Sequence, residues 1–395
     1  MKEYYMDLHI HIGASSDGSP VKITASKKLT FENIVREAYG RKGIDIIGII
    51  DCASPPVIQD IKKMLATGEL VPLSGGGYQY RDQVTVLLGS EVESKEEWGG
   101  RAHYLAYFPT LEQIIDYSQI MDQYITNISL SSQMSFLSAG EILKIVDGLG
   151  GDMIPAHSFT PYKSLYGNCA ASLEDVFFDG MDKKIRTIEL GLSADSELAD
   201  QFQELHQRTF LSNSDAHSLP KIGREYNLIK VVEPDYHHIF GALQGEIEQG
   251  QLTANYGLDP RLGKYHRSFC EKCQTTLTEE PPCLSCNQCG SSKIVKGVWD
   301  RIVEIRDLTG ENSPEKRPLY HFQIPLENIP GVGRKTIDKL IKYFGNEMNV
   351  LHQANLYELE DVVSKRIAKS IVLAREGRLT MIPGGGGKYG KAVRD

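Results

Sequence analysis

The sequence predicts an α/β fold, a mostly parallel sheet or barrel with helices outside, followed by two small modules. Three observations carry this. Short apolar runs alternate with helically spaced segments over residues 1–255, and histidines and carboxylates fall repeatedly at the ends of those runs. Five of the seven cysteines lie between 270 and 289. A chain of 395 residues is long enough for two or three domains, and 41% hydrophobic with 24% charged residues is ordinary for a folded soluble protein.

The first strand contains "DLHIH" (7–11). Residues two apart in a strand share a face, so His9 and His11 can reach one point. Further strands are predicted at "DIIGII" (45–50), "VTVLLGSEV" (84–92), "HYLAYF" (103–108), "DMIPA" (152–156), "TIEL" (187–190) and "TFLSNSD" (209–215). Helices lie between them. Phe31, Ile34, Val35 and Ala38 keep the i, i+3, i+4, i+7 spacing behind Thr30 as N-cap. Ser138 and Glu141 form a capping box before Ile142, Ile145, Val146 and Leu149. Residues 67–83 read as an excursion or hairpin, 160–172 as a long loop, and 257–266 as a linker.

Charge divides the chain unevenly. Residues 293–395 hold 18 Lys and Arg against 13 Asp and Glu, while 1–292 hold 25 against 39, within a total of −9. An acidic body with a basic C-terminal region fits a metal-carboxylate site joined to a polyanion-binding module. No apolar run is long enough to cross a bilayer, and "MKEYYMDLHIH" lacks a signal-peptide core. The expected location is cytoplasmic, without a membrane partner.

Candidate ligands cluster at strand ends: His9 and His11, Asp51 closing "IGIID", Glu91 closing "VLLGSE", His103 opening "HYLAYF", His157 after "MIPA", and Asp215 with His217 in "SNSDAH". Alone, each reads as a turn former or a hydrogen-bonded histidine. Together they are what a multinuclear site requires, because the strand ends of α/β folds form one functional face. Imidazole and carboxylate donors suit zinc, manganese or iron.

The set "DLHIH", "GSEVE", "AHYLAYFP", "PAHS" and "SNSDAH" resembles the polymerase and histidinol phosphatase (PHP) superfamily. That resemblance implies a distorted (β/α)7 barrel that cleaves phosphoesters with up to three metals. It implies His9, His11, Glu91 and Asp215 around one ion, Glu91, His103 and His157 around a second with Glu91 bridging, and His217 at a third. Asp17 and Asp51 are the remaining candidates for the third site; Cys52 stands where members tend to carry histidine. Two cations about 3.5–4 Å apart can clamp both the attacking and leaving oxygens of an in-line displacement. Asp215 and Glu91 are thereby the catalytic carboxylates, and Arg101 and Arg224 are candidates for binding phosphate oxygens.

"CEKC" (270–273) and "CLSCNQCG" (283–290) form a zinc-ribbon pattern. Five cysteines compete for four positions. Cys270, Cys273, Cys286 and Cys289 are favoured because Gly290 suits the last turn; pairing Cys283 with Cys286 is the alternative. "NIPGVGRKTIDKLIKYFG" (328–345) resembles a helix–hairpin–helix, a module that binds the DNA backbone. Its turn and following helix offer Gly331, Gly333, Arg334, Lys335, Thr336 and Lys339 to phosphates. Ile337, Leu340, Ile341 and Phe344 form the buried stripe, and Val363, Ile367, Ile371 and Ala374 mark a second half.

The resulting order is a PHP barrel at 1–262, a small zinc ribbon at 263–297, and a helical DNA-binding domain with the helix–hairpin–helix at 298–395. This order, with "TPYKSLYGN" and "RIVEIRD", resembles the endonuclease Q family over essentially the whole chain. The resemblance implies a DNA repair endonuclease that cuts 5′ to deaminated bases (uracil, hypoxanthine, xanthine) and abasic sites, with the base flipped out. It implies two to three divalent transition metals (zinc, manganese or iron, with magnesium as an activating alternative) and one structural zinc. Double-stranded DNA carrying such lesions is the expected partner, with recruitment of a sliding clamp or another repair protein left open. Tyr162, Tyr166 and Arg301 are candidates for the lesion pocket. The competing reading is a small-molecule phosphoesterase of the histidinol-phosphatase type, against which the basic hairpin argues.

Overall fold

The computed structural model describes residues 1–393. Its body is built on β1 (Lys2–Ile10), α1 (Phe31–Glu37), β2 (Ile46–Ile49), α2 (Pro55–Ala66), β3 (Leu70–Pro72), β4 (Tyr78–Tyr80), β5 (Val84–Glu93) and β6 (His103–Phe108). It continues through α3 (Leu111–Met121), α4 (Ala139–Gly148), β7 (Asp152–Pro155), β8 (Thr187–Glu189), α5 (Ser196–Ala199) and β9 (Thr209–Leu211). β10 (Tyr226–Val231), α6 (Tyr236–Gln244) and β11 (Gly250–Gly257) follow.

β1, β2 and the first half of β5 pair in parallel. β5 is long enough for two neighbours along its other edge. Val84–Val86 takes the hairpin of β3 and β4, and Leu88–Glu93 takes β6. β6 runs antiparallel to both β5 and β7. This departs from the parallel expectation, and it matters for the site. An antiparallel strand presents its first residue, not its last, at the end where its neighbour finishes. β8 and β9 form a parallel pair, and a bridge from Ile10 to Ala216 returns the chain to β1. On the opposite edge of β1 lie β10 and β11. The strands are apolar on both faces, with Ile47, Ile49, Val86 and Leu88 in one core cluster and Met6, Leu8, Ile46 and Leu87 in another.

The helix signals work as expected. The Thr30 side chain accepts from Asn33 N–H, Ser138 and Glu141 make a reciprocal capping box, and Phe31, Ile34, Val35, Ile142 and Val146 are buried. The segment 67–83 contains the β3–β4 hairpin.

The cysteine region forms a three-stranded sheet of β12 (Phe269–Cys270), β13 (Thr275–Thr276) and β14 (Ile294–Val295), followed by α7 (Val298–Ile305). β15 (Leu319–Phe322) then adds in parallel to β11, a strand that the sequence reading placed within a helical region. The remainder comprises α8 (Arg334–Phe344), α9 (Glu347–His352), α10 (Leu356–Val362), α11 (Lys365–Arg375), and a terminal hairpin of β16 (Thr380–Ile382) and β17 (Lys391–Val393). Gly331, at φ +85°, makes the turn before α8, and Gly333 is its N-cap. Ile337, Leu340 and Ile341 face the interior, while Arg334, Lys335 and Lys339 are exposed and Thr336 is half-buried.

Candidate metal centre and adjoining pocket

The β1 strand delivers His9 and His11 buried and side by side, with ring centroids 5.2 Å apart. Glu91, near the end of β5, faces both. Its Oε1 is 3.6 Å from His9 Nε2 and its Oε2 is 3.6 Å from His11 Nε2. Because β6 is antiparallel, its first residue, His103, pairs with Glu93 in register and places Nδ1 3.0 Å from Glu91 Oε1. β7 then reverses again, so His157, just beyond it, arrives at the same end with Nε2 3.5 Å from Glu91 Oε1. Asp215 Oδ1 lies 3.5 Å from His9 Nε2, 3.4 Å from His11 Nε2 and 3.2 Å from His217 Nε2.

Three overlapping groups can each hold a cation: His9, His11 and Glu91; Glu91, His103 and His157; and His11, Asp215 and His217. Ligands at about 2.1 Å in tetrahedral array stand roughly 3.4 Å from one another, the spacing seen here. Two buried nitrogens, His9 Nε2 and His103 Nε2, have no hydrogen-bond partner. An unpartnered buried nitrogen is costly unless something else takes its lone pair. The residues therefore fit metal ions of the imidazole- and carboxylate-binding class.

Electrostatics point the same way. Burial disfavours charge on His9, but the Glu189, Asp215 and Glu91 carboxylates prevail and raise it to about 10. Burial likewise opposes ionisation of Glu91 and Asp215. The positive His103 and Lys22 hold Glu91 well below the usual carboxylate range, and His9 does the same for Asp215. Carboxylates that draw in this much positive charge, Glu91 buried and Asp215 half-buried, are the setting for cations. Backbone strain also concentrates here: His157 and Asp215 have φ of +32° and +44°.

The sequence reading missed two residues of the centre. Glu189 accepts from His9 Nδ1 at 2.9 Å, from the His157 N–H at 2.7 Å and from the Asn213 amide at 2.9 Å. It ends β8 within "TIEL", so it carried the same strand-end signal as Glu91. Lys22 places Nζ 3.0 Å from Glu91 Oε2 and also bonds the Ser132 hydroxyl. A lysine in a loop gave no such signal.

Four expectations, those for Asp51, Asp17, Tyr166 and Arg301, need correction. Asp51 is not in the ligand groups. It accepts from His11 Nδ1 at 3.1 Å, from Ile12 N–H at 2.6 Å and from the Ser131 hydroxyl, and so fixes the ring that ligates. Asp17 is exposed and folds back on its own turn, accepting from the Ser15 hydroxyl and the Ser19 N–H, which lowers its carboxyl to about 2. Tyr166 is fully buried, stacked on Phe159 and donating to Glu204, so no base can reach it. Arg301 spends its donors on the Tyr166 and Ala170 carbonyls and on Glu304, pinning the loop at 165–170. Arg224 donates to the Ser214 carbonyl at 2.7 Å and the Asp215 carbonyl at 3.3 Å, which sets the Asp215 loop and leaves Nη1 toward the pocket. Cys52 is buried with its thiol raised by burial and its Sγ–H directed at the Ile49 carbonyl, so it is a core residue. Arg101 is half-exposed at the rim, 3.5 Å from Glu93, where Lys163 also pairs.

Beside the centre lies a cavity of about 510 Å³ lined by His157, Asp215, His217, Arg224, Tyr162 and Tyr389 among others. Tyr162 meets Tyr265 edge-on at 5.6 Å on its wall. At the cysteine site, Cys270, Cys273, Cys286 and Cys289 gather their sulfurs within 4.8 Å. Cys283 is left out, its backbone N–H bonding Asp300 and its sulfur near Arg267.

Histidines and carboxylates converging at the strand ends of this α/β body, in a chain that also carries a four-cysteine site, fit a metal-dependent enzyme. No family model matches the chain. It is 46% identical over 394 residues to the uncharacterized protein YqxK of Bacillus subtilis (strain 168), covering 99% of each. Two solved structures align with all of it. One is the lesion-specific endonuclease PfuEndoQ from Pyrococcus furiosus, at 34% identity and TM-score 0.83 over 96% of that chain. The other is endonuclease Q in complex with a 27-mer duplex substrate with an abasic lesion at the active site, at 33% identity and TM-score 0.83 over 97% of that chain. The chain belongs to the endonuclease Q family.

Proposed function

We propose that this protein is a DNA repair endonuclease that hydrolyses the phosphodiester 5′ to deaminated bases and abasic sites in duplex DNA. The carrying observation is the trio of ligand groups linked through the shared Glu91 and His11 at the edge of a cavity, in a chain that aligns end to end with endonuclease Q. In this reading residues 1–262 form the hydrolytic unit, 263–297 the zinc unit and 298–395 the DNA-binding unit.

His9, His11 and Glu91, with Asp215 within 3.5 Å of both rings, would hold one ion, Glu91, His103 and His157 a second, and His11, Asp215 and His217 a third. When bound, these cations supply the Lewis acidity for in-line displacement at phosphorus. The protein does the rest. Glu189 and Asp51 hold His9 and His11 in one ring orientation. Arg224 sets the Asp215 loop, and Lys22 offers a buried positive charge beside Glu91. Arg101, half-exposed at the rim 3.5 Å from Glu93, would meet a phosphate oxygen. The turn at Gly331 and Gly333, with Arg334, Lys335, Thr336 and Lys339, contacts the DNA backbone away from the lesion. The lesion nucleotide leaves the helix, because a base still stacked in the duplex cannot enter the cavity beside the centre.

The test is an end-labelled duplex with one deoxyuridine or one abasic site. The expected product ends in a 3′-hydroxyl immediately before the lesion, with the base retained. Intact DNA together with rapid hydrolysis of histidinol phosphate would replace this reading with that of a small-molecule phosphatase.

A further inference from the structure

The terminal segment "IPGGGGKYGKAVRD" is too rich in glycine for an ordinary helix, and its described part folds into the β16–β17 hairpin and packs against the body. Its glycines explain how. A Cβ on Gly384 would sit 2.5 Å from the Gly263 carbonyl oxygen, on Gly385 2.5 Å from Thr276 Oγ1, and on Gly386 2.5 Å from the Phe269 ring. Only glycine permits this approach to both the 261–264 segment and the cysteine unit. Three backbone hydrogen bonds complete the docking: Gly384 N–H to the Arg261 carbonyl at 2.8 Å, Gly390 N–H to Leu262 at 2.9 Å, and Gly387 N–H to Lys264 at 3.3 Å.

The docked turn carries Tyr389 to the cavity that also contains His157, Asp215 and His217. There Tyr389 faces cations on two sides. Lys264 Nζ is 4.6 Å from its ring centroid, and Arg224 Nη1 donates to its hydroxyl at 3.2 Å. The same Arg224 holds the Ser214 and Asp215 carbonyls. The cavity thus joins aromatic faces from Tyr162, Tyr265 and Tyr389 to positive charge from Lys221, Arg224 and Lys264. Aromatic rings stack on bases and cations meet phosphates, so the chemistry that fits is a single nucleotide of a polynucleotide strand.

We propose that the C-terminal glycine-rich hairpin is the outer wall of the nucleotide pocket, and that Tyr389 is a specificity-determining residue that stacks on the displaced base. The inference rests on the function proposed above. Tyr389 touches the base, and its hydroxyl bond to Arg224 fixes where the ring stands relative to the Asp215 loop.

A stacking contact requires a base, which gives a discriminating experiment. The zinc-loaded full-length protein and its Tyr389→Ala and Tyr389→Phe variants are compared for binding to two duplexes, one with deoxyuridine and one with a tetrahydrofuran abasic site. Bound zinc and thermal melting confirm that each variant is folded. Tyr389→Ala should bind the deoxyuridine duplex roughly tenfold more weakly, and the abasic duplex as the wild type does. Tyr389→Phe should keep most of the affinity because the ring remains. Equal losses on both duplexes would show a merely structural hairpin, and no loss on either would show an unused ring; both results overturn the inference while leaving the function standing. A wild-type protein that binds both lesion duplexes no better than undamaged DNA overturns the function and the inference together.

Discussion

Glu189 makes no contact that a metal would replace, and this is why it should matter. Its carboxylate holds His9 through Nδ1 and leaves Nε2 bare, so one ring nitrogen is fixed as donor and the other is kept as a ligand. Glu189→Gln keeps the shape but removes the charge that raises His9. Metal affinity of the histidine and carboxylate centre should fall by roughly 10–100-fold, the usual consequence of losing such a partner. Competitive titration against a chelator measures it, and an unchanged affinity would sink the assigned role. Asp215→Ala removes a ligand rather than its support. Nicking of a deoxyuridine duplex should be abolished while DNA binding persists, since the phosphate contacts lie elsewhere; a variant cutting at wild-type rate would refute the site. Legibility at this scale followed spacing and position. His9, His11, Glu91, His103, His157, Asp215 and His217 were legible because strand ends share a face. Asp51 and Glu189 carried the same signal, but a sequence does not say which strand-end carboxylate touches the metal and which touches the ring. Tyr166 was misread because an aromatic in a loop looks available, whereas Phe159 and Phe202 bury it.

Among elements, β6 shows what alternation of strands and helices cannot reveal. The apolar run "HYLAYF" predicts a strand, but its direction depends on the connection before it. Residues 94–102 contain no crossover helix, so β6 returns antiparallel beside β5. That reversal is what places His103 at the active end. β15 was illegible for a related reason: "LYHF" is apolar but only four residues long, too short to show a period, and only its pairing with β11 defines it as a strand. Helices were more legible, because caps and spacing are local. α8 has its stripe at Ile337, Leu340 and Ile341, leaving Lys335 and Lys339 in solvent near the Gly331 turn. Replacing both lysines with alanine should weaken binding to damaged and undamaged duplexes alike, and the salt slope should fall by about one unit per lost phosphate contact. Fluorescence anisotropy across a salt series reads both quantities. A selective loss at the lesion would mean that this helix reads damage.

The whole molecule is acidic over most of its length and basic toward its C-terminus, and its parts are joined by buried polar groups as well as apolar ones. Purified protein should contain at least two ions beyond one expected at the four-cysteine site; elemental analysis giving one equivalent or fewer in total would exclude the multinuclear centre. The join itself has a pH signature. Glu225 lies just before β10, fully buried, with Oε1 accepting from the Leu258 N–H at 2.7 Å and Oε2 without a partner. Burial raises its carboxyl from 4.5 to about 8. The native protein therefore keeps a proton that the unfolded chain releases above about 4.5. Stability contributed by this protonation is complete below that value and is lost as pH rises through about 8. Glu225→Gln mimics the protonated form and removes the titration. Urea midpoints between pH 5 and 9 should fall less steeply in the variant than in the wild type. Comparing the two isolates Glu225 from the metal-binding histidines, whose tighter metal binding at high pH acts in the opposite direction and is common to both proteins. Parallel slopes would mean that Glu225 is ionised in the native state and that a counter-charge, not a proton, stabilises the seam between β10 and the 258–262 segment.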